Sequence, residues 1–116
     1  MNRLGIKIEE IEDIFQIAKK KLRIFLVMSH LSCSENKNSK INNIQLSKFI
    51  TVKKKIGDYK NLKFSLANSN GILLGKSFHF DLCRPGGLIY GLNLSNLKEK
   101  KIANVLMLKA KVLDIK

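Results

Sequence analysis

Three apolar segments of the chain are each followed directly by small or polar residues of the kind that bind anions. Ser29 and His30 follow the first segment, residues 68–71 (NSNG) follow the second, and residues 84–87 (RPGG) follow the third. Serine hydroxyls and the N–H groups of glycine-rich turns hold phosphate, and an arginine adds a planar fork of donors. The residue types indicate a phosphorylated ligand, although serine and glycine after a strand are also ordinary turn formers.

Helical and strand patterns alternate along the chain and would bring these residues to one edge of a parallel sheet. Apolar residues at helical spacing between Ile8 and Leu22 predict a first helix, and a second is predicted from about Asn43 to Lys55. Short apolar runs predict strands at residues 24–28, 62–67 and 80–83, and helical turns are expected at 69–74 and 88–92. The first run lacks alternation, as expected for a strand covered on both faces.

This rhythm predicts an α/β fold with parallel strands, in which binding residues gather at the carboxyl ends of the strands. A complete (β/α)8 barrel takes roughly 250 residues, so 116 residues hold only a partial, incomplete TIM barrel of about three strands. Apolar and polar residues begin to alternate near the end of residues 105–113 (VLMLKAKVL), which predicts one strand of a different sheet.

The net charge of +13, from 22 basic and 9 acidic residues, would suit a partner such as nucleic acid. Against that, Arg3, Arg23 and Arg84 are the only arginines, and the lysines are scattered along the chain. Two tyrosines and no tryptophan leave little for base stacking. We ascribe the charge to an AT-rich coding bias and expect no nucleic-acid partner.

Apolar runs and cysteines indicate the compartment. No apolar run reaches the roughly 18–20 residues of a membrane span, and the first residues do not resemble a secretory signal. Cys33 and Cys83 are far apart in the sequence, which favours reduced thiols. We expect a cytoplasmic protein without a membrane partner.

The order and spacing of five motifs closely resemble those of bacterial alanine racemases, and the resemblance runs through essentially the whole chain. The motifs are residues 1–5 (MNRLG), 28–33 (MSHLSC), 66–72 (LANSNGI), 79–86 (HFDLCRPG) with Tyr90 and Gly91, and 108–112 (LKAKV). The resemblance implies that residues 1–100 are part of the family's N-terminal barrel domain. It also implies that residues 101–116 begin a truncated C-terminal β-domain.

The resemblance also implies a cofactor, pyridoxal 5'-phosphate, and a role for each matching residue. Arg84 would hydrogen-bond the pyridine nitrogen, which must then be an unprotonated acceptor because guanidinium has only donors. The alternative is a structural arginine paired with Asp81. His30 would lie beside the ring and support the arginine, and Arg3 would approach the cofactor's phenolic oxygen and the substrate carboxylate.

The phosphate end of the cofactor is implied to contact the second and third motifs. Ser69 and the backbone N–H groups of Gly86 and Gly87 would form part of a phosphate cradle, and Asn68 would line the same pocket. Gly87 departs from the bulkier apolar residue common in the family, so the loop would be looser there. His79 and Asp81 could form a metal pair on a strand, but no further ligand lies near them in sequence. We therefore expect them to pin the loop and expect no metal site.

Racemisation of alanine needs two bases, one on each face of the reacting carbon. In the family these are the cofactor lysine and a tyrosine of the C-terminal domain supplied by the other subunit of a homodimer, and neither motif is present here. The resemblance implies interconversion of L- and D-alanine for peptidoglycan precursors, and the chain alone is expected to be an inactive, truncated part. Two alternatives stay open: one piece of a split racemase completed by other chains, and a basic remnant that binds polyanions.

Overall fold

The computed structural model describes residues 4–92 and 102–115 of the 116-residue chain. Four α-helices and two strands follow one another in an α/β order. The α-helices and strands are α1 (Ile11–Lys21), β1 (Leu26–Met28), α2 (Lys40–Ile56), β2 (Lys63–Ser65), α3 (Ser69–Leu74) and α4 (Gly86–Ile89), with 3-10 turns at Ile8–Glu10 and Lys76–Phe78. No helix within these described ranges is long and apolar enough to cross a membrane.

The two strands form a parallel pair connected through α2. Leu26 lies opposite Lys63 and Met28 opposite Ser65. Parallel strands need a long crossover, and α2 provides it. The predicted helix 43–55 is confirmed, but it starts three residues earlier. Gly57, with φ of 66°, ends it in a left-handed conformation that favours glycine.

Helix α1 packs on α2 through part of its predicted apolar stripe. Ile11 and Phe15 are buried, and the Phe15 ring meets Tyr59 edge-on at a centroid distance of 5.3 Å. Lys55 of α2 forms an ion pair with Glu12 at 3.4 Å. The stripe was expected to extend to Leu22, but that residue has an extended backbone after the helix end and is exposed.

The hydrophobic core lies around α2 and β2. Phe49 of α2 contacts the rings of Phe64 and Phe80 edge-on, at centroid distances of 6.2 and 4.9 Å. The buried cluster comprises Leu31, Phe49, Phe64, Leu66, Ala67 and Phe78. Strand β1 was expected to be covered on both faces, yet Phe25 and Met28 are exposed. The packing therefore fixes the β2 side of the sheet more firmly than the β1 side.

The predicted strand at residues 80–83 is not formed. Phe80 has a positive φ of 50°, which an extended strand does not allow. The N–H groups of Asp81 and Leu82 both donate to the Phe64 carbonyl, at 3.0 and 3.2 Å. The Asp81 carboxylate in turn accepts the Phe64 N–H at 2.7 Å. Two backbone N–H groups and one carboxylate thus converge on Phe64 instead of pairing in strand register. Strand-like pairing begins only at Arg84, which bridges to Asn68 in parallel.

The expected strand at residues 105–113 is also absent. Residues 102–115 contain no helix or strand, and large apolar side chains such as Leu108 and Leu113 are exposed. A strand exists only when its backbone groups pair with a neighbouring strand, and these residues form no such pairing in the described part of the chain. The predicted domain boundary between residues 100 and 101 falls within residues 93–101, outside the described residues, and stays a prediction.

Replacing Asp81 with alanine is expected to lower the free energy of unfolding by about 1–2 kcal/mol, because the Phe64 N–H loses a charged acceptor. Urea unfolding followed by circular dichroism measures the loss. Asp58→Ala, which removes an exposed loop carboxylate, is the matched control and should leave stability nearly unchanged. Equal stability of the two variants would contradict the role assigned to Asp81.

Candidate functional site

An open cavity of about 290 Å³ lies at the carboxyl ends of β1 and β2. It brings together all six residues that the sequence predicted to bind the cofactor. The lining residues are His30, Asn68, Ser69, Asn70, Arg84, Gly86, Gly87 and Leu92. Arg3, the predicted substrate-binding residue, lies outside the described residues. The site is therefore assembled from three segments that are distant in sequence, and the role of each residue in binding a cofactor stays a prediction.

Arg84 reaches both strand ends through its guanidinium group. Nη1 donates to the Ser65 Oγ at 2.5 Å, and Nη2 donates to the Ser29 carbonyl at 2.5 Å and to the Leu66 carbonyl at 3.4 Å. None of these acceptors is a carboxylate, so the alternative pairing of Arg84 with Asp81 is wrong. Burial lowers the pKa of Arg84, but a guanidinium stays protonated at any physiological pH. The cavity thus contains a fixed positive charge on a planar group whose orientation is set by three oxygen atoms.

Asn68 connects the segments around the cavity. Its Oδ1 accepts the Gly71 N–H and the Ser34 hydroxyl, both at 2.8 Å, so it caps the start of α3. Its Nδ2 lies 3.3 Å from the His30 Nε2. Because Nδ2 is only a donor, this contact makes Nε2 of His30 the acceptor in the pair. Asn68 lines the pocket as predicted and, in addition, fixes the position of His30 relative to α3.

The turn after Arg84 has a definite geometry. Pro85 has φ of −81° and ψ of 50°, and the Gly86 N–H donates to the Arg84 carbonyl at 2.9 Å, which is an inverse γ-turn. The Gly86 N–H is therefore engaged within the turn, and its part in a phosphate cradle stays a prediction. Gly87 lies in the first turn of α4, where N–H groups lack intrahelical acceptors. Gly87 is the better backbone donor toward the cavity.

Ser69 joins the two short helices that border the cavity. Its Oγ accepts the Leu88 N–H at 3.3 Å, which ties α3 to α4. A hydroxyl that accepts one bond still has its own proton to donate. A β-carbon built at Gly87 would lie 3.7 Å from the Ser69 Oγ and 3.5 Å from Leu92, so glycine is not required there by space. Ser69 and Gly87 thus lie on the same side of the cavity.

His79 and Asp81 do not contribute to the cavity. The His79 Nε2 lies 2.9 Å from the Ile72 carbonyl, and the Asp81 carboxylate bonds the Phe64 N–H. Both side chains therefore pin backbone, as predicted. No group of three or more potential metal ligands occurs among residues 4–92 and 102–115.

Sequence reasoning missed Ser65, Asn70 and Leu92. Ser65 is fully buried, donates to the Leu82 carbonyl at 2.8 Å and accepts from Arg84. Ser65 shares a strand face with the exposed Lys63, so alternation predicts an exposed serine and its burial had no signal in the sequence. Asn70 stands directly after Ser69 and was passed over as part of a turn.

The two parallel strands, with a cavity at their carboxyl ends that contains a guanidinium, a serine hydroxyl and a glycine turn, define part of an α/β fold. The family model for the alanine racemase N-terminal domain matches residues 1–94. The chain belongs to this family.

Curated relatives and solved structures agree with this assignment. The chain is 42% identical over 118 residues to an alanine racemase of Rickettsia bellii, a match that covers 99% of this chain and 28% of the relative. It is similar to the crystal structure of alanine racemase from Bartonella henselae with covalently bound pyridoxal phosphate. That match has a TM-score of 0.77 and 33% identity, and it covers 90% of this chain and 30% of the other.

A second structural match is the biosynthetic alanine racemase from Pseudomonas aeruginosa, with a TM-score of 0.73 and 26% identity. It covers 83% of this chain and 26% of that one. The chain therefore spans less than a third of the length of the proteins that it matches.

Ser65→Ala is expected to cost about 1 kcal/mol of stability, since the mutation leaves the Leu82 carbonyl and one Arg84 donor without their partner. Thermal unfolding measures this loss. Ser47→Ala, an exposed serine on α2, is the control with the same chemical change. If both variants melted like the unmodified chain, Ser65 would not be the anchor of Arg84.

Proposed function

We propose that this chain provides part of the pyridoxal 5'-phosphate site of a racemase that interconverts L- and D-alanine. The observation that supports this best is the convergence of Arg84, Ser69 and Gly87 on one cavity. These groups offer a fixed cation, a hydroxyl and a backbone N–H, which suit a phosphorylated pyridine.

The donor set fits the group. A cavity of about 290 Å³ is close to the lower end of ligand pockets, at roughly 300 Å³. Ser69 and the Gly87 N–H would hold the phosphate, with Asn68 lining the pocket, and Arg84 would face the ring nitrogen. When bound, pyridoxal phosphate supplies an electron-withdrawing ring that weakens the α-C–H bond of an attached amino acid.

Arg84 determines which form of the ring the site accepts. Its guanidinium can donate but not accept, so it pairs with an unprotonated ring nitrogen and disfavours a protonated one. The bonds of Arg84 to Ser65 and to the Ser29 carbonyl fix the plane of the guanidinium group before a ligand binds. Less conformational entropy is then lost on binding. By keeping the ring nitrogen unprotonated, Arg84 would favour return of the proton to the substrate carbon over side reactions. The residue thus suits racemisation.

His30 has a supporting position in this proposal. Its ring lines the cavity and contacts Asn68, while the carbonyl of the preceding Ser29 holds Arg84. We infer that His30 limits the space beside the cofactor ring and takes no part in proton transfer.

The remaining features of the racemase are proposed from the family. The strands β1 and β2 and the bridge at Arg84 would be successive positions of a parallel barrel that the chain forms only in part. Alanine would be the substrate, with Arg3 near its carboxylate, and the enzyme would be a cytoplasmic homodimer that supplies D-alanine for the cell wall. Residues 101–116 would begin the β-domain.

The proposal is tested by the binding of pyridoxine 5'-phosphate and of unphosphorylated pyridoxine to the chain, measured by calorimetry. These alcohols avoid the imines that aldehydes form with surface lysines. Arg84→Lys keeps the charge but not the planar fork, so it should weaken both ligands about tenfold, equivalent to 1.4 kcal/mol. Ser69→Ala should weaken only the phosphorylated ligand.

The control for this test is Arg23→Lys, which changes an exposed arginine outside the cavity and should alter neither affinity. If the unmodified chain bound neither ligand, or if Arg23→Lys and Arg84→Lys had equal effects, the proposed site would be wrong.

The isolated chain is expected to show no conversion of L-alanine to D-alanine when pyridoxal phosphate is added. No lysine or tyrosine lines the cavity among the described residues, and the Tyr59 ring packs against Phe15 of α1. Two bases are needed for racemisation. Chiral chromatography of the amino acid after long incubation measures the product, and formation above an enzyme-free blank would contradict this expectation.

A further inference from the structure

Gln45, a half-buried residue of α2, holds the loop that carries His30 by three hydrogen bonds. Its Oε1 accepts the backbone N–H of Ser32 at 2.9 Å and the Ser32 hydroxyl at 3.1 Å. Its Nε2 donates to the His30 carbonyl at 3.1 Å. Because the Ser32 N–H can only donate, Oε1 must face it, which fixes the orientation of the carboxamide. The residues that line the cavity do not include Gln45, so its effect on the site passes through this loop.

The loop depends on such bonds because residues 29–39 form neither helix nor strand. Both neighbours of His30 are fixed: the Ser29 N–H donates to the Ser65 carbonyl at 3.1 Å, and Leu31 is buried in the core. His30 itself is exposed and lines the cavity. The bond from Gln45 therefore holds the His30 backbone between two fixed neighbours, at the point where the ring leaves the core.

The place of the His30 ring determines which of its nitrogens carries the proton. The Asn68 Nδ2 lies 3.3 Å from the His30 Nε2, and Asn68 is turned this way because its Oδ1 accepts the Gly71 N–H. A neutral imidazole that accepts at Nε2 carries its proton on Nδ1. His79 is the opposite case, since its Nε2 lies 2.9 Å from the Ile72 carbonyl and must donate to it. The two histidines of the chain are thus expected in different tautomers.

We propose that Gln45 is a positioning residue of the candidate site and acts through His30. By holding the His30 carbonyl and the Ser32 N–H together, it keeps the imidazole against Asn68 with the proton on Nδ1. This tautomer is a property of the chain without a ligand. The consequence for binding rests on the proposed function: a ring wall that is already in place loses less conformational entropy when a pyridine binds.

The first test is ¹⁵N NMR spectroscopy of the histidine rings in the ligand-free chain, at a pH at which both imidazoles are neutral. Gln45→Glu keeps an acceptor for Ser32 but has no donor for the His30 carbonyl, and Gln45→Met lacks the donor without adding a charge. In both variants we expect the Nδ1-protonated form of His30 to give way to a mixture of tautomers.

Two controls accompany this measurement. Ser32→Ala removes only the bond between the Ser32 hydroxyl and the Gln45 Oε1, so it should leave the His30 tautomer unchanged. His79 should keep its proton on Nε2 in every variant, and a change at both histidines would identify a variant that has lost its fold. Since Gln45→Glu and Gln45→Met remove the same donor in different ways, either folded variant decides the question.

The second test is calorimetry with pyridoxine and pyridoxine 5'-phosphate. Gln45→Met should weaken both ligands by the same factor, about fivefold for the loss of one positioning hydrogen bond. The factor should be the same because the proposal places His30 beside the ring and not at the phosphate. Gln16→Met, which makes the same change at an exposed glutamine of α1, should alter neither affinity.

An unmodified chain with the His30 proton on Nε2, or an Nδ1-protonated His30 that persists in a folded Gln45 variant, would overturn the role of Gln45. Unchanged affinities in Gln45→Met would overturn its role in ligand binding. If the tautomer changed as expected but the unmodified chain bound neither ligand, the proposed function would fail while the positioning of His30 by Gln45 stood.

Discussion

The site depends on the hydrogen bonds that hold one half-buried cation, the Arg84 guanidinium. Its acceptors come from the ends of both strands: the Ser29 carbonyl after β1, the Ser65 hydroxyl in β2 and the Leu66 carbonyl after it. A charged group that is partly removed from water needs several such acceptors to offset its lost hydration. The parallel register of β1 and β2 provides them at one place. The same bonds that make burial of the charge tolerable also fix the plane in which it meets a ligand.

The surrounding backbone keeps this arrangement in place through side chains that act as local pins. Asn68 caps α3 and contacts His30, and Asp81 occupies the edge of β2 that a third strand would otherwise pair with. Ser69 then ties α3 to α4. Polar side chains that bond backbone in this way join segments whose own strands are only three residues long. The cavity is thus formed by a network of hydrogen bonds laid over a small hydrophobic core.

The sequence predicted the parts of the structure that depend on local pattern. Helix α2 and the helical turn α3 follow from apolar spacing and turn residues, and the six cavity residues follow from motifs at strand ends. Residues 80–83 were mispredicted as a strand because the decisive bonds join Asp81 to Phe64, 17 residues earlier. Asn70 and Ser65 were missed since only burial shows that a serine or asparagine lacks water. Leu22 was misplaced because a helical pattern does not specify the residue at which the helix ends.

The role of Arg84 is tested by the ¹⁵N chemical shift of the ring nitrogen in labelled pyridoxine 5'-phosphate bound to the chain. It should be recorded over the pH range in which the free ligand gains its ring proton. Because the guanidinium can only donate, we expect the chemical shift of a neutral, hydrogen-bonded nitrogen over this whole pH range. We expect that shift to be lost when Arg84 is replaced by lysine. A bound ligand that titrates like the free one, or that carries a ring proton, would contradict the account.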